Sequence, residues 1–228
     1  MRANSSAIGL AMGMSSGSIR RLGVLGGTFD PLHNGHLVAA RAALEKFDLD
    51  MVLFVPAGRP WQKASYTHHE DRYLMTVLGA VGDERFAVSR LELDRSGPTY
   101  TADTMETLRE WYGPDAALFF ILGADALSGL DTWVGIERLA ELAEIIAVSR
   151  PGVEFPERPD GATWPPVHPL EIPGVDISAT EVRERVKSGL PVDDHVPVGV
   201  LRYIREHRLY VTDKEAWGAE SSPPGRGR

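Results

Sequence analysis

Short apolar runs and amphipathic stretches alternate along this chain. Leu22–Leu25, Met51–Val55, Phe86–Val88, Leu118–Leu122, Ile145–Val148 and Leu170–Ile172 have the length and content of strands. Gly35–Phe47, His69–Val81, Ala102–Tyr112, Ile136–Leu142, Ser178–Lys187 and Val198–Arg205 read as helices. Tyr73, Leu74, Val77 and Leu78 share one helical face, and Met105, Leu108 and Trp111 form a stripe on another. Gly and Pro punctuate 151–169, which predicts a long surface loop. No internal repeat is present. Apolar strands separated by helices predict an α/β fold, a Rossmann-like doubly wound parallel sheet covered on both faces. Ligands of such folds bind beyond the carboxyl ends of the strands. The loop after the first strand, the start of 123–133 and the turn before Ser178 should therefore meet at one crevice.

Composition narrows the classes of function. The chain has 228 residues, 24 of them Lys or Arg and 32 Asp or Glu, for a formal net charge of −8. Such a balance argues against a partner bound through general electrostatics, so no nucleic acid is expected. A nucleotide needs only local positive charge and stays open. There is no cysteine, which rules out disulfides and thiolate metal sites and fits a reducing, cytoplasmic setting. No apolar run reaches the ~18 residues that would span a bilayer, so no membrane association is expected. Residues 1–19 and 213–228 read as disordered tails around one domain, 20–212. Assembly into a homo-oligomer is left open.

The chemistry concentrates in Gly26-Gly27-Thr28-Phe29-Asp30-Pro31-Leu32-His33-Asn34-Gly35-His36, between the first strand and the first helix. Glycines let backbone approach a ligand closely. A helix start offers unpaired N–H groups and the positive end of a dipole, an anion site. His33 and His36, three apart, share a helical face there and can donate ring N–H groups to phosphate oxygens. A metal pair or two packed histidines is the alternative, but the segment carries no Cys or Glu to complete a metal site. Farther on, Ser178 stands three before Glu181 in the pattern of a capping box. Thr180 falls in the first turn, and the planar fork of Arg183 suits phosphate. A capped, solvated surface helix is the plainer reading of that segment.

GGTFDPLHNGH resembles the signature of the HxGH nucleotidyltransferase superfamily. With its Thr-Phe-Asp-Pro it is similar to the nicotinate-mononucleotide adenylyltransferases of bacterial NAD synthesis. Ile177-Ser178-Ala179-Thr180-Glu181-Val182-Arg183 resembles the family's I-S-[ST]-T-x-[IV]-R motif, with Ala179 where Ser is common. Gly123-Ala124-Asp125-Ala126-Leu127, followed by Trp133, resembles its G-[AT]-D-x-[LF]…W segment. Thr99-Tyr100-Thr101 resembles the segment that meets the nicotinate carboxylate, and Ser149-Arg150-Pro151-Gly152 a further family motif. The likeness runs from about Leu22 to Tyr210.

The resemblance implies the HxGH nucleotidyltransferase fold and transfer of AMP from ATP to nicotinate mononucleotide, giving nicotinate adenine dinucleotide and pyrophosphate. It implies His33, His36 and Arg183 as catalytic residues. His36 would serve the α- and β-phosphates, His33 the α-phosphate region and Arg183 the β/γ oxygens. Gly26, Gly27, Thr28, Phe29, Gly35, Gly123, Asp125, Ile177, Ser178 and Thr180 would contact ATP. Thr99, Tyr100, Thr101, Trp133 and Lys63 would contact the pyridine nucleotide, Trp133 by stacking on its ring. Mg²⁺ would be carried mainly on the ATP phosphates. Three alternatives remain: another HxGH transferase, with nicotinamide mononucleotide, phosphopantetheine or a CTP-linked substrate; an NAD-dependent dehydrogenase, although G-x-G-x-x-G is absent; and a non-catalytic nucleotide sensor on the same fold.

Overall fold

A computed structural model describes residues 8–9, 19–58, 67–150, 152, 155, 161–172, 174 and 177–211. Its elements run β1 (Ile8–Gly9), β2 (Arg21–Gly27), α1 (Asn34–Lys46), β3 (Met51–Pro56), α2 (His69–Ala80), β4 (Phe86–Ser89) and α3 (Thr101–Tyr112). They continue with β5 (Ala117–Gly123), a 3₁₀ helix (Ala124–Thr132), α4 (Ile136–Leu142), β6 (Glu144–Ser149), β7 (Val167–Glu171), α5 (Ala179–Lys187) and α6 (Val198–Glu206).

The seven strands form one sheet in the order β1-β4-β3-β2-β5-β6-β7. β2 to β7 pair in parallel, and β1 lies antiparallel on β4. The parallel part starts in the middle at β2, steps outward to β3 and β4, then returns to fill the other side with β5, β6 and β7. The reversal between β2 and β5 is the topological switch point, where an α/β sheet opens its crevice. The carboxyl ends of these strands, Gly27 and Gly123, border it.

Alternation along β5 sets the two core faces, because successive strand side chains point to opposite sides. Leu118, Phe120 and Leu122 join Val24, Leu53 and Ile145 under α3, α4 and the 3₁₀ helix, where Met105, Leu108, Leu127, Leu130 and Leu139 are buried. Phe119 and Ile121 join Val52, Phe54 and Ile146 under α1, against Leu37, Ala40, Ala43 and Leu44. A third cluster holds α2, α5 and α6 together through Met75, Val182, Val186, Val200 and Ile204.

Two details differ from the sequence expectation. Val167–Glu171 is strand, so the loop anticipated over 151–169 ends earlier. Pro169 pairs opposite Ala147, and β7 lies at the sheet edge, where a missing N–H costs least. Within the stretch expected to be a loose tail, Ile8–Gly9 pairs with β4, Ile8 opposite Ser89. Two residues carry no periodicity, so that strand had no sequence signal.

Candidate active site

β2 delivers Gly26 and Gly27 to the crevice, and the chain turns into α1 over Thr28–His33. Gly26, Gly27 and Thr28 are half-buried. Phe29 takes a positive φ of 48° and is 1% exposed. Its ring lies against Gly27 and meets His36 edge-on at 5.1 Å. Any contact of Phe29 with a nucleotide would therefore be made by its backbone.

His33 is the N-cap of α1 and His36 its third residue. Their rings stack, with centroids 3.7 Å apart. The His33 backbone N–H donates to His36 Nδ1 at 3.2 Å, which places the neutral ring's proton on Nε2. His33 is 7% exposed, and its Nδ1 is buried with no hydrogen-bond partner. Burial first, and the neighbouring His195 second, push its pKa down to about 4. A Cβ on Gly35 would stand 3.0 Å from the His33 ring and 3.7 Å from the Ile177 carbonyl, so α1 and the start of α5 meet closely there.

α5 reaches the same turn. Ser178 caps it, its hydroxyl accepting from the Glu181 N–H at 3.1 Å. The Glu181 carboxylate itself lies 3.6 Å from His195 Nε2. Arg183 donates to the Asp30 carbonyl at 2.7 Å and to Thr180 Oγ1 at 3.1 Å. The two motifs that the sequence separates by some 150 positions are thus bonded to each other.

Arg72, Tyr210 and Glu92 organise the site although nothing in the sequence singled them out. Arg72 of α2 is 1% exposed and donates to the carbonyls of Thr28 and Ala57, each at 2.7 Å. It clamps the β2 turn to the end of β3, and desolvation lowers its pKa. The Asp30 carboxylate, 2% exposed, accepts from Tyr210 Oη at 2.7 Å and from the Thr67 hydroxyl. Burial and the Asp30 charge raise the Tyr210 pKa. Glu92 accepts from Thr104 Oγ1 at 2.8 Å, and its backbone packs on Gly58 so closely that a Cβ there would overlap it. Burial raises the Glu92 pKa against hydrogen bonds from Thr104 and Thr99.

On the β5 side, a Cβ at Gly123 would meet Asp125 Oδ1 at 2.5 Å, so Asp125 folds back over the glycine. Asp125 is exposed on the 3₁₀ helix. Trp133 is half-buried and stands edge-to-face on Phe120 at 5.9 Å. Phe120 in turn lies 3.1 Å from where a Gly26 Cβ would be. Tyr100 is the N-cap of α3, Thr101 its first residue, and Thr99 is buried. Ala102 abuts Gly135, two residues after Trp133. Contacts therefore run in a closed circuit around the crevice: Thr28, Arg72, Gly58, Glu92, Thr104 and α3, Gly135 and Trp133, Phe120, then Gly26. Trp61 and Lys63 lie outside the described residues.

A half-buried glycine turn, the start of α1 and a guanidinium come together here, groups whose chemistry can meet an anion. The cytidylyltransferase-like family profile matches residues 24–185. A probable nicotinate-nucleotide adenylyltransferase of Leifsonia xyli subsp. xyli is 50% identical over 199 residues, 87% of this chain and 98% of that protein. The chain belongs to this family. One of the same description from Saccharopolyspora erythraea is 49% identical over 211 residues, 90% of this chain and 96% of that one. Among solved structures, the Plasmodium falciparum nicotinic acid mononucleotide adenylyltransferase complexed with APC superposes with a TM-score of 0.67. It is 20% identical, and the match covers 84% of this chain and 97% of that one, which shows the shared fold. The chain is a nucleotidyltransferase of the family, and the dehydrogenase alternative falls away. Among the described residues no helix is long and apolar enough to cross a membrane.

Proposed function

We propose that the chain transfers AMP from ATP to nicotinate mononucleotide, with the triphosphate laid over the β2–α1 turn. The observation that carries this reading is the joining of both histidines, the start of α1 and Arg183 at one turn, in a chain half identical to a nicotinate-nucleotide adenylyltransferase.

The attacking group is a phosphate oxygen of the mononucleotide, already anionic at neutral pH. It forms a bond to the α-phosphorus as the bond to the β-phosphate bridging oxygen breaks. The electron pair leaves with pyrophosphate. No base has to remove a proton from the nucleophile, and no covalent enzyme intermediate is required. The work of the protein is alignment and charge stabilisation. His36, its Nε2 proton set by the bond to its Nδ1, serves the α- and β-phosphates. His33 lies beside the α-phosphate, where nearby negative charge favours its cationic form. Arg183 holds β/γ oxygens. Gly26, Gly27, Thr28, Gly35, Ile177, Ser178 and Thr180 contribute backbone and hydroxyl contacts to ATP. Gly123 and Asp125 meet its ribose side. Magnesium arrives with the substrate, on triphosphate oxygens. Trp133 stacks on the pyridine ring, and the start of α3 at Thr99–Thr101 receives the nicotinate carboxylate.

The test is product analysis after mixing the chain with MgATP and either nicotinate or nicotinamide mononucleotide. Nicotinate adenine dinucleotide and pyrophosphate should form in equal amounts, faster than the amide product. Binding of both substrates without turnover would support a sensor instead.

A further inference from the structure

The segments on both sides of α6 are fastened to the β2–α1 turn. Ahead of α6, the His195 carbonyl accepts from the backbone N–H of Asn34 at 2.8 Å, and the Asp194 carbonyl from the Asn34 side chain at 3.0 Å. One of the N–H groups at the start of α1 is therefore committed to this segment rather than to a ligand. Beyond α6, the chain turns back through Arg208 and Tyr210, at positive φ values of 52° and 67°. Neither is glycine, and such residues keep that conformation only where surrounding contacts fix it. Those contacts are present. The Leu209 N–H donates to the Ile204 carbonyl at 3.0 Å, and Leu209, Tyr210 and Val211 pack on the cluster of Met75, Val182, Val200 and Ile204. The Tyr210 hydroxyl is thereby set 2.7 Å from Asp30 Oδ1, with Met75 Sδ at 3.9 Å.

Asp30 lies within the turn and is 2% exposed. A carboxylate so deep has to have its oxygens bonded. Its donors come from two places remote in sequence. One is Tyr210. The other is Thr67, just ahead of α2, whose hydroxyl reaches Oδ1 and whose N–H reaches Oδ2 at 3.3 Å. With both oxygens tied, the Asp30 backbone is held as well, and its carbonyl is the acceptor that orients Arg183 at 2.7 Å. The neighbouring Phe29, at a φ of 48°, shows that the turn itself depends on outside contacts to keep its shape.

We propose that Tyr210 is a positioning residue for the β2–α1 turn: through the Asp30 carboxylate, which it shares with Thr67, it holds the Asp30 carbonyl toward Arg183 and keeps the turn in the form that receives a triphosphate. The last described segment of the chain thus belongs to the apparatus of the site although it touches no substrate. Its role in the reaction rests on the phosphate-binding reading of the turn.

The experiment uses Tyr210→Phe in the full chain, which keeps the ring in its packing and removes only the hydroxyl. Without ligand, hydrogen exchange of the amides over residues 26–36 should speed up by about tenfold, while α3 exchanges as in the parent. In steady state, kcat/KM for ATP should fall by about tenfold, with KM for nicotinate mononucleotide unchanged. A tyrosine serving stability alone would lower Tm and leave both Michaelis constants where they were. In an Asp30→Asn background, adding Tyr210→Phe should change kcat/KM for ATP by less than about twofold, because the two residues act as one unit. Parental exchange over 26–36, a parental kcat/KM for ATP, or an undiminished effect in the Asp30→Asn background would each overturn the proposal. The exchange measurement needs no substrate, so a parent protein that makes no dinucleotide sinks the functional reading and leaves the hold of Tyr210 on the turn still decided.

Discussion

Arg183 Nη1 donates to the Asp30 carbonyl at 2.7 Å, joining residues 153 positions apart. The same guanidinium reaches Thr180 Oγ1 through Nη2. A fork with both prongs placed is held in one orientation before any ligand arrives, and it carries its charge to the turn that holds His33 and His36. Lysine is a single point charge without the planar fork whose separate prongs reach these two acceptors. Arg183→Lys should therefore lower kcat on the order of 10²-fold, as for loss of one placed charge-stabilising donor. Steady-state kinetics with saturating ATP checks this, and near-parental turnover would remove Arg183 from the mechanism.

Trp133 stands edge-to-face on Phe120 and is half-buried. Loss of a stacking face worth about 1–3 kcal/mol should raise KM for the mononucleotide about tenfold in Trp133→Ala, with KM for ATP changing far less. Trp133→Phe should recover part of the loss. Equal changes for both substrates would contradict the stacking role.

Arg72 is a buried cation that bonds the carbonyls of Thr28 and Ala57. Arg72→Met keeps the bulk and leaves those carbonyls without their donor. At about 1–3 kcal/mol for each carbonyl left without its donor, the fold should lose up to roughly 6 kcal/mol. Thermal unfolding should register a clear fall in Tm, and KM for ATP should rise because the turn is no longer clamped. An unchanged Tm would show that the clamp carries no stability.

His33 titrates at about 4 in the fold, below its ordinary 6.5. Between these values the unfolded chain binds the proton and the folded chain refuses it. The stabilisation is whole above pH 6.5 and disappears as pH falls toward 4. A shift of this size corresponds to about 3 kcal/mol. Urea unfolding at about pH 7 and about pH 4 should show the parent losing roughly that much more than His33→Gln. Equal losses would mean that His33 is not held neutral.

The sequence made the strands and helices legible because apolar runs and 3.6-residue periodicity are local. Their parallel pairing in one sheet followed from the alternation of strand and helix, whereas the strand order, with β2 in the middle, did not. The glycine turn, the two histidines and the Ser178–Arg183 segment were legible because close approach, anion binding and capping each demand particular residue types. The organising contacts were not. Arg72 is one charge within an amphipathic stretch, and its burial against carbonyls 15 and 44 residues away has no local signal. Tyr210 bonds Asp30 across 180 positions, and nothing local marks Tyr210 as the partner of the motif's aspartate. Glu181 completed a capping pattern on paper, but its carboxylate faces His195, which was visible only once α5 and α6 were packed.

The most direct measurement is a crystal structure with a non-hydrolysable ATP analogue and magnesium. The account expects α- and β-phosphate oxygens within hydrogen-bond distance of the His36 Nε2 and of the Gly35 N–H at the start of α1, with Arg183 on the terminal phosphates. A triphosphate bound away from the β2–α1 turn, or reversed so that the adenine lies over His33 and His36, would contradict it.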